Sequence, residues 1–537
     1  MLSYRKLAMR VLGRPLHTGG IDSPRPASQR AAAFILTAAM LTTLAAPAFA
    51  DIWHIENGDI TISAGESGNN VTQNNNTTYG DTNTIITNQN KDTASSHTVT
   101  IEAKDKDDKV EVTLKDVNID TSSRNKAAVS VTGEGDTNIK LDGDNALKSD
   151  IYRSGIYGSG SGSLTISGGE NDSLTAQGGS GANGISSSGS LTISGGTVTA
   201  NGDDGGRGIS SSGSVTISGG STVTANGGSG TISGGDGICS SGGVTISGGS
   251  TVTANGGNGG SLVGGDGIRS GGGLTVSDGT VTAKGGNGDS KDGYSGDGIR
   301  SGGGVTISGN TVNAAGGYGG KVGGYGICSF DRVAISGGTV EAAGGNGSTG
   351  GGSGIYSSVI DLSGSLELTA KAGSPNGKAL SQKGSELVLD TIKDKLGPGA
   401  KVTATDADGK VIDQVSTPRP VEPEESSSSS DGGSAAPSAP ASPLPGLTVT
   451  DKSGAVISYT STQSGNTLTV CVGRFTASFR ISLAALRQLR AEGIETITFQ
   501  TILCSTTLSV DELLAMGGED AEAVLTHRLT DSSLTVG

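Results

Sequence analysis

Two arginines occupy the same place in neighbouring GDGIRS segments of this sequence. Arg269 and Arg300 each follow an aspartate by three residues, Asp266 and Asp297, and Asp236 holds the same place in an earlier GDGICS segment. A guanidinium group forms forked hydrogen bonds with a carboxylate, such as that of an acidic sugar, and aspartate oxygens are ligands that calcium accepts. The pattern indicates either a ligand-binding stripe with calcium at the three aspartates, or local charge compensation and Asp-Gly turns.

Tyrosines in the glycine-rich segments near these arginines offer a second kind of ligand contact. Tyr294, Tyr318 and Tyr325 lie in adjacent segments of this type, and an aromatic ring presents a large apolar face to a sugar ring. We predict that Tyr294 and Tyr325 bind ligand together with Arg269 and Arg300. Isolated exposed tyrosines without a ligand are the alternative.

No complete set of catalytic residues can be drawn from the sequence. The three histidines after residue 50 are far apart, and they form no HExxH motif, no ligand pair and no Ser-His-Asp order (His54, His97 and His527). A GxxxxGK[ST] phosphate-binding loop is also absent. We therefore expect no enzymatic activity. The alternative is a polysaccharide lyase or hydrolase that uses Asp297 or Asp266 with Arg300 or Arg269.

These residues lie in an internal repeat whose copies start 24 to 31 residues apart. Each full unit reads G-I-x-S, then G-x-[LV]-T-[IV]-S-G-G, then T-V-T-A, and ends in a glycine-rich loop of variable length. The short runs alternate apolar and polar residues with the period of two that is typical of strands. Weaker copies lie at Val112, Ile139 and Leu387, with degenerate ones near Ile60 and Ile86. The clear copies start at Leu164, Leu191, Val215, Val244, Leu274, Val305, Val333 and Ile360.

Three brief strands per unit predict an all-β fold, a right-handed parallel β-helix of coils of about 28 residues. We place this domain at 51–415, with the clearest repeats at 95–395. A single coil buries too few apolar side chains to offset its backbone entropy, so coils must stack about 4.8 Å apart. Stacking predicts an inward ladder and places the residue after each G-I isoleucine outward, while the glycine-rich loops project outward. The ladder members are Ile193, Ile217, Ile246, Val276 and Ile307.

The N-terminus predicts export. Residues 1–50 combine basic residues, the apolar run AAAFILTAAMLTTLAA and the small-residue site Ala48-Phe49-Ala50, which is typical of a secretory signal peptide cleaved before Asp51. An uncleaved membrane anchor is the alternative. We find no second apolar run of membrane length, and we expect the protein to be secreted and either released or associated with the cell surface.

The composition changes after the repeats. Residues 416–446 are rich in proline and serine and predict an exposed linker, and 447–537 predict a small α+β module. Ser482 and Gly493 are expected to begin and end a helix, and Ser509 with Glu512 predicts a second, shorter helix.

The four cysteines give two expectations. Cys471 and Cys504 are candidates for a disulfide, since export permits one. Cys239 and Cys328 share one repeat position three coils apart, about 14 Å, which is too far for a disulfide.

The charge and composition exclude some partners. The formal net charge of −15 opposes binding to nucleic acid, because a phosphate-binding surface needs clustered lysine and arginine. With 94 glycines and only 3% aromatic residues, most of the chain can form only a thin core. An exposed, solvated extracellular surface fits this composition.

The repeat GDGIxSxGxVTISGGTVTAxGG resembles the clostridial-type carbohydrate-binding β-helix family of exported proteins, which is similar in fold to pectate lyases. The resemblance covers 95–395. It implies a calcium-bearing β-helix that binds plant or other acidic polysaccharide without cleaving it. The sequence departs from a lyase because no coil carries a carboxylate cluster and a basic residue outside the repeat pattern. We therefore expect a non-catalytic carbohydrate-binding or adhesin-like protein, with a lyase or hydrolase, or a structural stalk without a ligand, as alternatives.

Overall fold

The computed structural model describes residues 51–418, 446–451, 456–457, 459–464, 466–472, 476–501, 505–518, 521–527 and 532–536. The chain divides into two compact units, Met1–Pro423 and Glu424–Gly537. The expected signal peptide and most of the expected linker lie outside the described residues. In the described part of the chain, no helix has both the length and the apolar character needed to cross a membrane.

The first unit is a parallel β-helix of about 14 coils of about 28 residues, which confirms the predicted fold class. Most coils contribute one strand to each of three sheets, and equivalent residues pair in register between coils. The degenerate copies near Ile60 and Ile86 form coils of their own. The repeat thus extends further towards the N-terminus than its clear copies do.

The first sheet contains the G-I-x-S strands, and the second contains the V-T-I-S strands. The two are joined where Ile327–Ile335 and Ile355–Leu362 run through both. The other strands of the first sheet are Ile60–Gly65, Val99–Ala103, Val129–Gly133, Ile156–Gly158, Ile185–Ser187, Ile209–Ser211, Ile238–Ser240, Ile268–Ser270, Ile299–Ser301 and Leu380–Gln382. Those of the second are Ile52–His54, Thr84–Thr87, Lys109–Lys115, Asp136–Asp142, Leu164–Ser167, Leu191–Ser194, Val215–Ser218, Val244–Ile246, Leu274–Val276 and Val305–Ile307.

The third sheet contains the T-V-T-A strands, which run parallel except for the last one. Its strands are Asn118–Asp120, Asp144–Lys148, Ser173–Ser180, Thr197–Asp203, Thr222–Asn226, Ser250–Asn255, Gly279–Lys284, Asn310–Ala315, Gly338–Ala343, Leu366–Lys371, Lys401–Thr405 and the antiparallel Val411–Ser416. Alternation along each strand places valine and alanine inside and threonine outside.

The predicted inward ladder is confirmed. Ile193 pairs with Ile217, Ile217 with Ile246, Ile246 with Val276 and Val276 with Ile307. All five side chains are fully buried. Each coil therefore shares its apolar surface with the coils on either side, which is the arrangement that makes solenoid repeats stabilise one another.

The serine that ends each G-I-x-S strand also points inward, and its hydroxyl is satisfied by backbone. Ser240 Oγ donates to the Gly213 carbonyl over 2.8 Å, and Ser301 Oγ donates to the Gly272 carbonyl over 2.9 Å. A buried hydroxyl without such a partner would destabilise the fold. The serine therefore connects the end of its own strand to the turn that follows the equivalent strand in the preceding coil.

The glycine-rich loops stack on one another, which corrects the expectation that they project outward. Short parallel bridges join these loops from coil to coil, as in Gly230 with Gly259 and Gly259 with Gly288. A Cβ atom on Gly265 would lie 1.9 Å from the carbonyl oxygen of Gly235. Glycine is required at these positions because the backbone of one loop packs directly on the backbone of the next. The loops differ in length only at their tips, between the bridged residues.

Both ends of the solenoid are covered. At the N-terminal end, the antiparallel hairpin Gly68–Gln73 and Asn76–Asp81 pairs with Ile60–Gly65, and a 3-10 turn spans Ile55–Asn57. At the C-terminal end, the 3-10 helix Leu389–Lys395 buries Leu389 and Ile392, and Ser385–Glu386 folds back on Leu380–Gln382. Covered ends leave fewer open strand edges for other chains to pair with.

The second unit is an α+β module with two four-stranded sheets. Helix α1 spans Leu483–Ala491 and helix α2 spans Val510–Ala515. One sheet contains Leu447–Thr450, Ala477–Ser482, Glu522–His527 and Ser532–Val536, and the other contains Thr460–Ser464, Thr467–Cys471, Thr496–Gln500 and Ser505–Ser509. All pairings are antiparallel except that of Thr467–Cys471 with Thr496–Gln500.

The predicted helix boundaries in this module are confirmed. The hydroxyl oxygen of Ser482 accepts a hydrogen bond from the Ala485 amide, and Gly493 adopts a φ of +92° just after α1. Ser509 caps α2 by accepting from the Glu512 amide. Cys471 lies in a strand and its thiol is free, with Sγ 3.5 Å from Gln500 Oε1. This contradicts the predicted disulfide with Cys504, a residue that lies outside the described residues.

Candidate functional site

The outward stripe is the row of residues that follow the inward isoleucine, valine or leucine at the start of each first-sheet strand. Its members pair in register across the coils, and Arg269 lies directly beside Arg300, as predicted. Ile268 and Ile299 are fully buried, whereas the two arginine side chains are about 40% exposed. The stripe comprises Thr100, Ser130, Tyr157, Ser186, Ser210, Cys239, Arg269, Arg300, Cys328, Tyr356 and Ser381.

The three predicted calcium ligands form an aspartate column beside this stripe. Asp236, Asp266 and Asp297 are almost completely buried. Asp236 Oδ1 accepts the Asp266 amide over 2.9 Å, and Asp266 Oδ1 accepts the Asp297 amide over 2.7 Å. Asp297 Oδ1 accepts the Tyr325 amide over 2.7 Å. Each carboxylate thus joins its coil to the next one.

Each stripe arginine bridges two carboxylates of the column. Arg269 Nε donates to Asp266 Oδ2 over 2.8 Å, and its Nη2 lies 3.3 Å from Asp236 Oδ1. Arg300 Nε donates to Asp297 Oδ2 over 2.8 Å and lies 3.4 Å from Asp266 Oδ2. This arrangement is the local charge compensation that the sequence left open as an alternative, and it holds the arginines in fixed positions.

A third arginine, Arg207, was missed from the sequence. It occupies the aspartate place of its own repeat, where GGRGIS stands instead of GGDGIC. Its Nε donates to Asp236 Oδ2 over 3.2 Å, so Arg207, Arg269 and Arg300 are matched by three carboxylates. Aligning the residue before each Gly-Ile pair would have revealed it.

Burial dominates the electrostatics of the aspartate column. It raises the pKa of Asp297 to about 7, with a further rise from the negative charge of Asp266 that Arg300 opposes. Burial also raises the pKa of Asp266. The arginines therefore offset only part of the cost of removing these carboxylates from water.

The two tyrosines predicted to bind ligand lie in different places. Tyr325 continues the aspartate column one coil beyond Asp297, and its ring stacks on Tyr356 with the ring centres 4.9 Å apart. Tyr294 lies in the glycine-rich loops, where Lys321 Nζ is 5.5 Å from its ring centre. The structure brings Tyr325 together with Arg300 around Asp297, and it places Tyr294 in a separate loop column.

A cleft of about 440 Å³ opens beside the aspartate column. Arg207, Asp236 and Arg269 line it together with Asn183 and the glycine backbone of neighbouring coils. Two guanidinium groups therefore face one cavity across a single carboxylate. The cleft is large enough for a small polar ligand or one unit of a polymer.

Calcium at Asp236, Asp266 and Asp297 stays a prediction. Their oxygens already accept hydrogen bonds from backbone amides and guanidinium groups, and a calcium ion would have to share or displace them. Among the described residues, no group of three or more histidine, cysteine or acidic side chains is placed to hold a metal ion.

Two cysteines belong to the outward stripe. Cys239 pairs with Arg269 and Cys328 pairs with Arg300, so the two thiols lie three coils apart as predicted. Both are free. Burial raises the pKa of the Cys328 thiol to about 12, which keeps it protonated and unreactive at neutral pH.

Comparison with family models, with curated proteins and with solved structures found no match to this chain. The geometry of the site consists of a regular β-helix face with fixed, partly exposed arginines, a cleft and an aromatic pair.

Proposed function

We propose that this protein is an exported, non-catalytic carbohydrate-binding or adhesin-like protein that binds acidic polysaccharide along the outward stripe. The observation that supports the proposal is the in-register pair Arg269 and Arg300. Arg300 makes both of its closest carboxylate contacts through Nε, and about 40% of each side chain is exposed to solvent. The two Nη atoms of Arg300 make neither of these contacts and are therefore available to a ligand carboxylate, whereas Arg269 also holds Asp236 through Nη2.

The periodicity of the stripe suits a polymer. Coils repeat about every 4.8 Å, so Arg269 and Arg300 present two neighbouring guanidinium groups at the spacing of one coil to a chain that carries regular carboxylates. Beyond Arg300, the Tyr325 and Tyr356 pair offers an aromatic surface one and two coils further along. A charge-assisted hydrogen bond contributes about 1.5–3 kcal/mol, and several together support specific binding.

The direct test removes the cations without leaving buried carboxylates unpaired. We expect a variant with Arg269→Gln, Arg300→Gln, Asp266→Asn and Asp297→Asn to keep its fold, because the asparagine oxygens can still accept the backbone amides. Its affinity for immobilised polygalacturonate should fall at least tenfold, while Arg332→Gln, whose ion pair with Asp361 lies off the stripe, serves as the matched control. Unchanged binding by a folded quadruple variant would show that Arg269 and Arg300 do not bind the polysaccharide, and would contradict the proposal.

The lyase alternative is tested on the parent protein. Eliminative cleavage of polygalacturonate produces an unsaturated sugar that absorbs in the ultraviolet, and we expect none during prolonged incubation with or without calcium. If the parent releases such a product and the quadruple variant does not, the protein is a lyase and the proposed non-catalytic function is wrong.

Calcium is proposed as a ligand of the aspartate column and is tested separately. If Asp236 helps to hold the ion, the Asp236→Asn variant should bind calcium more weakly than the parent in titrations with buffered calcium. Equal calcium binding by the two proteins would show that Asp236 is not a calcium ligand and would contradict the proposed calcium site.

A further inference from the structure

A second cleft lies on the same face, near the N-terminal end of the solenoid. It has a volume of about 300 Å³ and is lined from three successive coils, by Thr98, Thr100, Asn125, Lys126, Ala127, Ser130, Arg153 and Tyr157. No carboxylate belongs to this lining, although the whole chain carries a net charge of −15. The cleft thus joins two cations, one aromatic ring, one amide and several hydroxyl groups.

Arg153 differs from the arginines that the sequence had singled out. Its Nε donates to Asn125 Oδ1 over 3.2 Å, and it makes no ion pair with any carboxylate in the described ranges. Its side chain is exposed. Whereas Arg269 and Arg300 each share two carboxylates, the charge of Arg153 is available to a ligand.

Tyr157 belongs to the outward stripe itself. It pairs in register with Ser130 on one side and Ser186 on the other. Its side chain is 44% exposed, although small serine side chains flank it on both coils. A ring that stands above small neighbours offers one open face, which is the arrangement that stacks against the apolar face of a sugar.

The surroundings of Lys126 keep the cleft positive. Asp59 lies outside the lining and is shared between Lys126 Nζ at 2.9 Å and Arg124 Nη1 at 2.7 Å, with the His97 ring 3.2 Å away. Burial alone would raise the pKa of Asp59, but hydrogen bonds from Arg124, Lys126 and the Thr98 amide hold it well below its usual range. One carboxylate therefore faces two fixed cations.

The loop that carries Arg153 is anchored by backbone. Asp150 accepts the Asn125 amide through Oδ2 and the Ile151 amide through Oδ1. The Arg153 amide donates to the Asp150 carbonyl over 2.9 Å, and the Tyr152 amide donates to the Ser180 carbonyl over 2.9 Å. Including Asp150, the cations Arg124, Lys126 and Arg153 still exceed the carboxylates by one. A positioned cation loses less freedom when a ligand binds.

We infer that this cleft is a subsite for one uronic acid residue, in which Arg153 and Lys126 hold the sugar carboxylate and Tyr157 packs against the sugar ring. This inference rests on the proposed function and deepens it, because it names the recognised unit and places it on the same face. The volume fits a short saccharide rather than a long chain. Asn125 and the hydroxyls of Thr100 and Ser130 are placed to meet the hydroxyls of the sugar.

The test is a calorimetric or NMR titration of the full chain with digalacturonic acid and with its methyl ester. We expect the parent to bind the acid more tightly than the ester. Arg153→Gln should weaken binding of the acid at least tenfold and abolish the preference for it, and Tyr157→Ser, which copies the neighbouring stripe residues, should weaken binding of both ligands. Tyr152→Ser is the matched control, because Tyr152 is exposed at the loop tip and outside the lining.

The outcomes separate the subsite from the proposed function. A parent protein that binds polygalacturonate but not digalacturonic acid, or an Arg153→Gln variant that binds the acid as the parent does, overturns the subsite while the function stands. Binding of the disaccharide through Arg153 without binding of the polymer keeps the subsite and overturns the proposed function. Circular dichroism of each variant verifies that the fold is retained.

Discussion

Arg300 Nε donates a hydrogen bond to Asp297 Oδ2 over 2.8 Å, which joins a partly exposed cation to a carboxylate buried at the edge of the solenoid core. The same pairing recurs one coil earlier between Arg269 and Asp266. Because each carboxylate also accepts a backbone amide of the next coil, the column holds neighbouring coils together and fixes the arginines on the outer face.

Removing one of these arginines should therefore lower the free energy of unfolding by more than the loss of an ordinary surface ion pair does. Such a pair contributes about 0–1 kcal/mol. We expect Arg300→Ala to lower the free energy of unfolding by about 1–3 kcal/mol, because it leaves the Asp297 carboxylate buried with fewer partners. Chemical denaturation compared with Arg332→Ala, whose carboxylate partner is more exposed, measures the difference. Equal losses of unfolding free energy in the two variants would contradict the idea that burial of the carboxylate makes its arginine partner more important for stability.

The raised pKa of Asp297 predicts a pH dependence of stability. The ordinary value for this carboxyl is 3.8 and the folded value is about 7, so between about pH 4 and pH 7 the folded protein holds a proton that the unfolded chain releases. Stability should therefore decrease as pH rises through this window, by at most about 1.4 kcal/mol per pH unit. The Asp297→Asn variant, measured by denaturation at the same pH values, should lack this part of the slope. A parent and variant with parallel profiles would show that Asp297 stays ionised.

The stacked glycine loops predict a sharp difference between two alanine substitutions. A Cβ on Gly265 would lie 1.9 Å from the Gly235 carbonyl oxygen, whereas one on Gly350 would meet only Val322 Cγ1 at 4.0 Å. We expect Gly265→Ala to destabilise the solenoid by about 1–3 kcal/mol through overpacking, and Gly350→Ala to leave it nearly unchanged. Thermal unfolding of both variants is the measurement, and similar melting temperatures would contradict the backbone packing described above.

The sequence predicts those features of the site that depend on strand period alone. Alternation along G-I-x-S places Ile268 inside and Arg269 outside, and the repeat spacing places Arg269 beside Arg300. The burial of Asp266 does not follow from this rule, because the residue precedes the strand and its direction is set by the amide of the next coil. The stacking of the glycine loops cannot be predicted from the sequence either. Glycine has no side chain, so these segments carry no apolar and polar alternation that would indicate which side is packed.

The second cleft was missed because it lies where the repeat is weak. Lys126 and Arg153 stand in the segments TSSRNKAAVS and SDIYRSGIYG, which share little of the GDGIxS pattern. The pairing of Ser130 with Tyr157, and of Tyr157 with Ser186, shows that these segments form the same face as the clear repeats. A search for repeated residues therefore selects the internally compensated arginines and passes over the uncompensated one.

Export is predicted from residues 1–50 and is tested on the secreted product. We expect N-terminal sequencing of protein from the culture medium to begin at Asp51, and replacement of the small residue Ala50 by tyrosine to prevent cleavage. Recovery of the parent with an intact Met1 in a membrane fraction would identify the segment as an anchor instead.

The aromatic pair predicts how far along the face a polysaccharide is bound. Tyr356 follows Arg300 by two coils in the outward stripe, and its ring stacks on Tyr325. Tyr356→Ser copies Ser381, the next residue of the stripe, so the strand pairing should be preserved while the ring surface is lost. We expect this variant to bind long polygalacturonate about tenfold more weakly than the parent, because the ring offers apolar contact to the sugar that is bound at its coil.

The control for that variant is Tyr318→Ser, which removes an exposed ring from the glycine-rich loops and leaves the stripe intact. Binding of digalacturonic acid should be the same in Tyr356→Ser as in the parent, since the disaccharide is held near Arg153 at the other end of the face. Surface plasmon resonance with oligogalacturonates of increasing length separates these effects, because the loss should grow only once the ligand is long enough to reach Tyr356. A loss that is equal at every length would mean that the ligand does not run along the stripe.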